Sequence, residues 1–239
     1  MSAAAVSSRS VAIVNDDERD CDVWGYQVAE AGYEPHIVRR PGNRPFRSIE
    51  ELAHELEQHA AFAVVDHRLS PKGLAQFTGA AMVAALYDRH LIAPLLVTTW
   101  EKQDADTSIR LHRKKVPILL SAQDFDDDPE MIQECFMASA REVRDGQVPL
   151  ERRAWRTAVQ IEGRDTDSKI KVIDALIPGW NPEAKVTFPL DLIKPELRDF
   201  AFPGKVFFAM VNTGAERDED LFFSDFELAP EPDPNDGLA

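Results

Sequence analysis

Four short apolar runs each end on residues that can do acid–base, phosphoryl or metal chemistry. Val11–Val14 (VAIV) leads into Asn15, Asp16, Asp17 and Glu18, and Phe62–Val65 (FAVV) leads into Asp66. Leu95–Thr98 (LLVT) is followed by Thr99, and Val116–Leu120 (VPILL) by Ser121. If the runs are parallel neighbouring strands, all these residues project at one rim. An acidic cluster opposite a lone Asp suits a hard divalent cation, which prefers oxygen ligands. Mg²⁺ there would offset the repulsion between the carboxylates and coordinate a phosphoryl group. Asp66 could then attack phosphorus and form an aspartyl phosphate. The plainer alternative is that Asp16 and Asp66 merely cap the helices that follow them.

The elements that must position these residues alternate in type. VAIV and FAVV are continuous apolar runs, as in strands buried on both faces. Asp17 to Ala31 reads as a helix with Cys21, Trp24, Gly25 and Val28 on one face, ending near Gly32. Pro35–Val38 is a weak strand. Ser48 with Glu51 forms a capping-box pattern, followed by Ile49, Leu52, Ala53 and Leu56 at helical spacing. Phe77 to Tyr87 is an Ala-rich helix, and Asp106 to Lys114 a charged one. Asp128-Pro129 is an N-cap with proline at the first helical position. Met131, Ile132, Cys135 and Ala138 continue that helix inward. Five βα units in about 145 residues imply a parallel sheet with helices on both faces. Ligands of such sheets sit at the carboxyl ends of the strands.

The pattern changes around Asp145–Pro149, which reads as a linker between separately folding parts. Thr157–Ile161, Ile170–Ile177, Lys185–Phe188, Lys205–Val211 and Leu221–Leu228 read as strands separated by Pro178-Gly179, Asn181-Pro182, Pro203-Gly204 and Thr213-Gly214. Asp191–Arg198 is the only helical candidate there. The expected fold is a small all-β barrel or sandwich. Residues 1–10 and the acidic, Pro-rich 230–239 are expected to be disordered. That leaves 11–146 and 150–229 as the two domains.

Residues 11–145 resemble a response-regulator receiver domain. VAIVNDDE resembles the first strand and acidic pair of that family. AFAVVDHRLSPKG resembles the third strand, the phosphoacceptor Asp and its loop, and APLLVTTW the fourth strand ending in the switch residue. The resemblance implies a flavodoxin-like, five-stranded sheet of order 2-1-3-4-5. It makes Asp66 the phosphoacceptor and Thr99 the residue that binds and senses the phosphoryl group. Asp16, Asp17, Asp66 and the backbone carbonyl of Arg68 become the ligands of Mg²⁺. Two departures stand out. Asn15 intervenes, so either Asn15-Asp16 or Asp16-Asp17 occupies the acidic pair. The family's Lys-Pro after the fifth strand is replaced by Ser121-Ala122, and a Ser supplies a hydrogen bond without charge. Phosphoryl transfer leans on electrostatic stabilisation, so phosphorylation should be slow or absent, as in a pseudo-receiver.

Charge narrows the function. The chain of 239 residues carries 27 Lys and Arg against 42 Asp and Glu, a net charge of −15. Both parts are acidic: 16 basic against 24 acidic residues up to position 148, and 11 against 18 beyond it. Phosphate neutralisation by a basic surface is therefore disfavoured, and no DNA partner is expected. No apolar run reaches membrane length and no leader pattern is seen; with two cysteines, this implies a cytoplasmic protein. Cys21 and Cys135 lie on apolar helix faces and read as core residues. His54 and His59, at i and i+5, do not share a face for zinc. His112–Lys115 (HRKK) read as a solvated helix end or, alternatively, a partner surface, and Trp100 as a core or an interface residue. Trp155, Trp180, Phe207, Phe208, Phe222, Phe223 and Phe226 fill a barrel core or, alternatively, form a stacking platform for single-stranded nucleic acid. The favoured reading is a non-enzymatic signalling protein. A receiver or pseudo-receiver part answers a sensor kinase or other signalling protein, and the β part contacts a protein output partner. Homodimerisation is compatible with this. The alternatives are the nucleic-acid-binding barrel and an Asp-dependent phosphohydrolase, for which His67 is the nearest acid–base candidate.

Overall fold

The computed structural model describes residues 7–70, 72–98, 103–167 and 170–230. The chain divides into two units between Pro149 and Leu150. The first is built on β1 (Ser10–Val14), β2 (Glu34–Ile37), β3 (Phe62–Asp66), β4 (Ala93–Thr98) and β5 (Ile118–Ser121). All four pairings are parallel, in the order β2-β1-β3-β4-β5. This is the doubly wound, flavodoxin-like sheet expected from the βα alternation and the receiver resemblance. Every residue of β1 and β4 is buried, which is why neither run alternates apolar with polar.

Helices cover both faces. Against one face lie α1 (Glu18–Glu30), α5 (Ala122–Asp127) and α6 (Pro129–Asp145), through Trp24, Val28, Phe125, Ile132 and Phe136. Against the other lie α2 (Ile49–His59), α3 (Gly79–Arg89) and α4 (Gln103–His112), through Leu52, Leu56, Met82, Leu86 and Ile109. Each such fully buried side chain contributes about 1.5–3 kcal/mol of transfer free energy. The local signals work as caps. The Ser48 hydroxyl accepts the Glu51 N–H at 3.2 Å, and the Asp128 carboxylate accepts from Glu130 and Met131 at 3.0 and 3.1 Å. The capping box is only half made, because the Glu51 carboxylate turns to Arg44 at 2.5 Å and the Arg47 N–H at 2.9 Å. Cys21 and Cys135 both pack with the core of the first face, unpaired, and burial pushes each thiol up to about 11.

Two expectations need correction here, and one element was missed. Order extends back past residue 11, since β1 starts at Ser10 and the Arg9 carbonyl accepts the Glu34 N–H at 2.9 Å. The sequence did not reveal α5. The basic patch is largely committed: Arg113 is buried with its guanidinium on the Val116 carbonyl, and Lys115 pairs with Asp88 at 2.6 Å.

The second unit is one antiparallel sheet of β6 (Trp155–Asp165), β7 (Val172–Ile177), β8 (Asn181–Pro189), β9 (Val206–Val211) and β10 (Phe223–Leu228), in the order β10-β9-β6-β7-β8. Alternate residues point inward, among them Ile173, Ala175 and Ile177 of β7 and Phe207, Ala209 and Val211 of β9. Edge strands β8 and β10 do not pair among the described residues. Phe188 of β8 nevertheless stacks on Phe223 of β10 with ring centroids 4.8 Å apart. The sheet therefore coils over its own core without hydrogen-bonded closure, and no second sheet faces it among the described residues. Asp191–Arg198 is not an α-helix. Two 3-10 turns, Leu190–Leu192 and Pro195–Phe200, occupy this stretch. Pro195 lacks an N–H and holds Lys194 extended at ψ 141°, which interrupts any helix. Phe207, Phe223 and Phe226 fill the core and Phe222 is buried, whereas Trp155 is exposed and the half-buried Phe208 ring lies under the Arg156 guanidinium at 3.8 Å.

Candidate functional site

Asp66 ends β3 at the carboxyl rim of the parallel sheet, with Asp16 just beyond β1. The Asp66 Oδ2 accepts the Arg68 N–H at 3.0 Å. Burial pushes the Asp66 carboxyl up to about 7, and the neighbouring Asp16 charge adds to the rise, against the pull of the Arg68 and His67 N–H groups. The rim is closely fitted. A Cβ on Gly79, the first residue of α3, would lie 2.0 Å from the Asp66 carbonyl oxygen, so only glycine lets α3 start here.

The three residues after β1 take separate tasks. Asn15 is buried, and its Oδ1 accepts the Asp17 N–H at 2.8 Å, which shapes the turn. Asp17 is the N-cap of α1 and accepts the Arg19 N–H at 2.9 Å. Asp17 also forms an ion pair with Lys72 from the loop after β3, and this bond holds its carboxyl below the usual range. Asp16 accepts the Lys72 backbone N–H at 2.6 Å. Asp16 is thus the acid that Asp66 senses, while Asp17 faces its own helix and Lys72. A polar cavity of about 270 Å³ opens beside Asp16, lined by Asn15, Glu18, Asp22, Arg39, Arg40 and Lys72 among others.

The remaining candidates are distributed unevenly. Ser121 ends β5 in register with Thr98, and its hydroxyl accepts the Asp124 N–H at 3.0 Å as the cap of α5. The position of the family Lys is therefore held by a capping Ser. Arg68 offers its N–H to Asp66. Thr99 and Trp100 lie outside the described residues. His67 lies on the opposite sheet face from Asp66, by alternation along the strand. It is buried, with Nε2 at 2.7 Å from Ser108 Oγ, and burial lowers its pKa to about 4. It is not placed to serve Asp66 as an acid or base.

Among the described residues no three acidic, His or Cys side chains gather to hold a metal. The donors fit a hard cation in type. Two carboxylates, Asp16 and Asp66, adjoin closely enough for one to raise the other, and the loop carbonyl of Arg68 follows in sequence. Asp17, engaged with Lys72, does not join them. Sequence reasoning missed Lys72, Gly79 and Thr98. Lys72 stands inside the quoted RLSPKG loop. Thr98 is 1% exposed and closes β4, one residue past the partner of Asp66 in a register that the structure supplies.

No family model matches the chain, and no curated protein matches it. Many solved structures that resemble it are receiver domains. The first unit is similar to response-regulator receivers. One is a CheY-like receiver domain protein from Methanospirillum hungatei JF-1, 17% identical, covering 57% of this chain and 99% of that one, with a TM-score of 0.41. Another is the signal receiver domain of an HD domain-containing protein from Pseudomonas fluorescens Pf-5, 12% identical, covering 62% and 98%, with a TM-score of 0.43. A third is a response regulator from Burkholderia pseudomallei with a phosphorylated aspartic acid and a calcium ion, 15% identical, covering 58% and 72%, with a TM-score of 0.40. No helix among the described residues is long and apolar enough to cross a membrane.

Proposed function

We propose that the chain is a signal-transduction regulatory protein in which the first unit is a receiver-type domain with Asp66 as its phosphoacceptor. The supporting observation is the Asp66 rim: a carboxyl at the end of the third parallel strand, raised to about 7 by burial and by Asp16. In the proposed step an ionised Asp66 oxygen attacks phosphorus. The bond from phosphorus to the donor breaks, the donor keeps the electron pair, and an acyl phosphate forms. Only the ionised carboxylate attacks, and near neutral pH a group raised to about 7 is ionised about half the time. Asp16, Asp66 and the Arg68 carbonyl would hold Mg²⁺. When bound, Mg²⁺ supplies the positive charge that stabilises the carboxylates and the phosphoryl oxygens. Ser121 spends its hydroxyl on α5 and adds no charge, so the reaction is weak, bordering on a pseudo-receiver. The donor is a sensor kinase or another signalling protein.

The output is a protein contact through the second unit. Most of its phenylalanines are spent on the core, and its acidic balance disfavours nucleic acid. Titration with beryllofluoride and Mg²⁺, followed by backbone amide spectra, tests the phosphoacceptor. Amides at Asp16 and Asp66–Arg68 should shift, more readily as pH rises through about 7, and Asp66→Asn should abolish the response. Amides unmoved between about pH 6 and 9 would leave a regulatory domain that works without phosphorylation.

A further inference from the structure

The face of the sheet behind Asp66 holds an unsatisfied polar pair. Val65 lies opposite Leu96, and Asp66 opposite Val97. Val65 and Leu96 both sit in the core beneath α2, α3 and α4. Side chains alternate along a strand, so His67 and Thr98 project to that same face. They are 3% and 1% exposed. His67 Nδ1 and Thr98 Oγ1 are both buried with no hydrogen-bond partner among the described residues. Buried polar atoms are almost always paired, so such exceptions call for a physical reason.

The main chain of His67 is held on both sides. Its N–H donates to the Val97 carbonyl at 2.9 Å, and its carbonyl accepts the Gly79 N–H at 2.9 Å. The imidazole reaches α4, with Nε2 at 2.7 Å from Ser108 Oγ. A neutral imidazole has one donor and one acceptor nitrogen, and here only one of them is used. On the other side of the same turn, the Asp66 carboxylate holds the Arg68 N–H at 3.0 Å. That bond is strong while Asp66 is a carboxylate and weakens once the carboxyl is esterified. A turn loosened there moves the next residue's ring relative to α4.

We propose that His67 is a positioning residue that ties α4 to the state of Asp66 through its hydrogen bond to Ser108. The inference rests on the reading of Asp66 as the responsive group. The bond to Ser108, made or broken, is the two-state element that a change at Asp66 biases.

The test is amide hydrogen exchange across α4 in the full chain, as a double-mutant cycle of Asp66→Asn and Ser108→Ala. Asp66→Asn replaces the carboxylate with an amide without any ligand. It should change exchange at Thr107–His112 by about 5-fold or more, the low end of typical coupling between sites. In the Ser108→Ala background the same change should fall below about 2-fold. Ser108→Thr, which keeps a hydroxyl, should restore it. A response to Asp66→Asn of equal size with and without Ser108, or no response of α4 in any background, overturns the proposal. The beryllofluoride titration reports separately on the phosphoacceptor. Coupling without analogue binding sinks only the phosphoacceptor reading, and analogue binding without coupling sinks only the link to α4.

Discussion

Asp66 and His67 are consecutive, yet they sit in opposite surroundings. Asp66 faces a charged rim where Asp16, Asp17 and Lys72 are joined by surface bonds. His67 is buried in the core, where its ring meets Ser108. Burial is the main cause in both cases, and it moves the two groups in opposite directions: the carboxyl up to about 7 and the imidazole down to about 4. The chemistry of the two groups decides the sign, because desolvation disfavours whichever form is charged. The pair also shows two ways of placing polar groups. On the rim, charges are exchanged among flexible partners. Under α4, a buried imidazole is held by its hydrogen bond to Ser108.

The largest expected effect removes the contrast altogether. Gly79→Ala would place a Cβ 2.0 Å from the Asp66 carbonyl oxygen and 3.0 Å from the His67 Cα. The start of α3 must then shift off β3. The expected cost is about 3 kcal/mol, the upper part of the overpacking range, read by denaturant unfolding of the first unit's signals. A Gly79→Ala protein as stable as the parent would mean that α3 approaches β3 less closely than described.

The next prediction separates the two sides by pH. The Asp66 carboxyl is raised in the folded state, so its neutral form favours folding. That contribution is present below about pH 4 and is lost as pH rises toward 7. The lowered imidazole does the reverse: its contribution is present above about pH 6.5 and is lost as pH falls toward 4. In the parent the two slopes oppose one another between about pH 4 and 6.5. Asp66→Asn should leave stability rising with pH across that window, and His67→Gln should leave it falling. Allowing for partial solvation, Asp66→Asn should stabilise by about 2 kcal/mol above pH 7. Parallel pH profiles in all three proteins would remove burial as the cause.

The smallest effect concerns the rim alone. Lys72→Met removes the partner that lowers the Asp17 carboxyl, so that carboxyl should titrate closer to its ordinary value. Because the ion pair is exposed, stability should change little. Carbon-detected NMR titration of Asp17 reads the shift, and an unmoved Asp17 would transfer the lowering to its cap bond with the Arg19 N–H. α4 should not respond, which keeps the two sides distinct.

Local patterns carried most of the first unit. Continuous apolar runs marked β1, β3 and β4, and Ser48, Asp17 and Asp128 announced the starts of α2, α1 and α6. From these followed five βα units, a parallel sheet, and Asp66 and Asp16 at its carboxyl rim. Strand periods and helix caps depend on residues a few positions apart, so sequence alone determines them. What only the tertiary structure decided depends on distant positions brought together. Lys72 reaches Asp17 from 55 residues away, and His67 reaches Ser108 from 41. Which of Asp16 and Asp17 faces Asp66 depends on that loop, and which face His67 takes depends on the register of β3 against β4. In the second unit the strands and a core of phenylalanines were legible, but the order β10-β9-β6-β7-β8 was not, nor that Trp155 stays exposed. Alternation says that a strand has two faces; only packing against its neighbours says which face is the core.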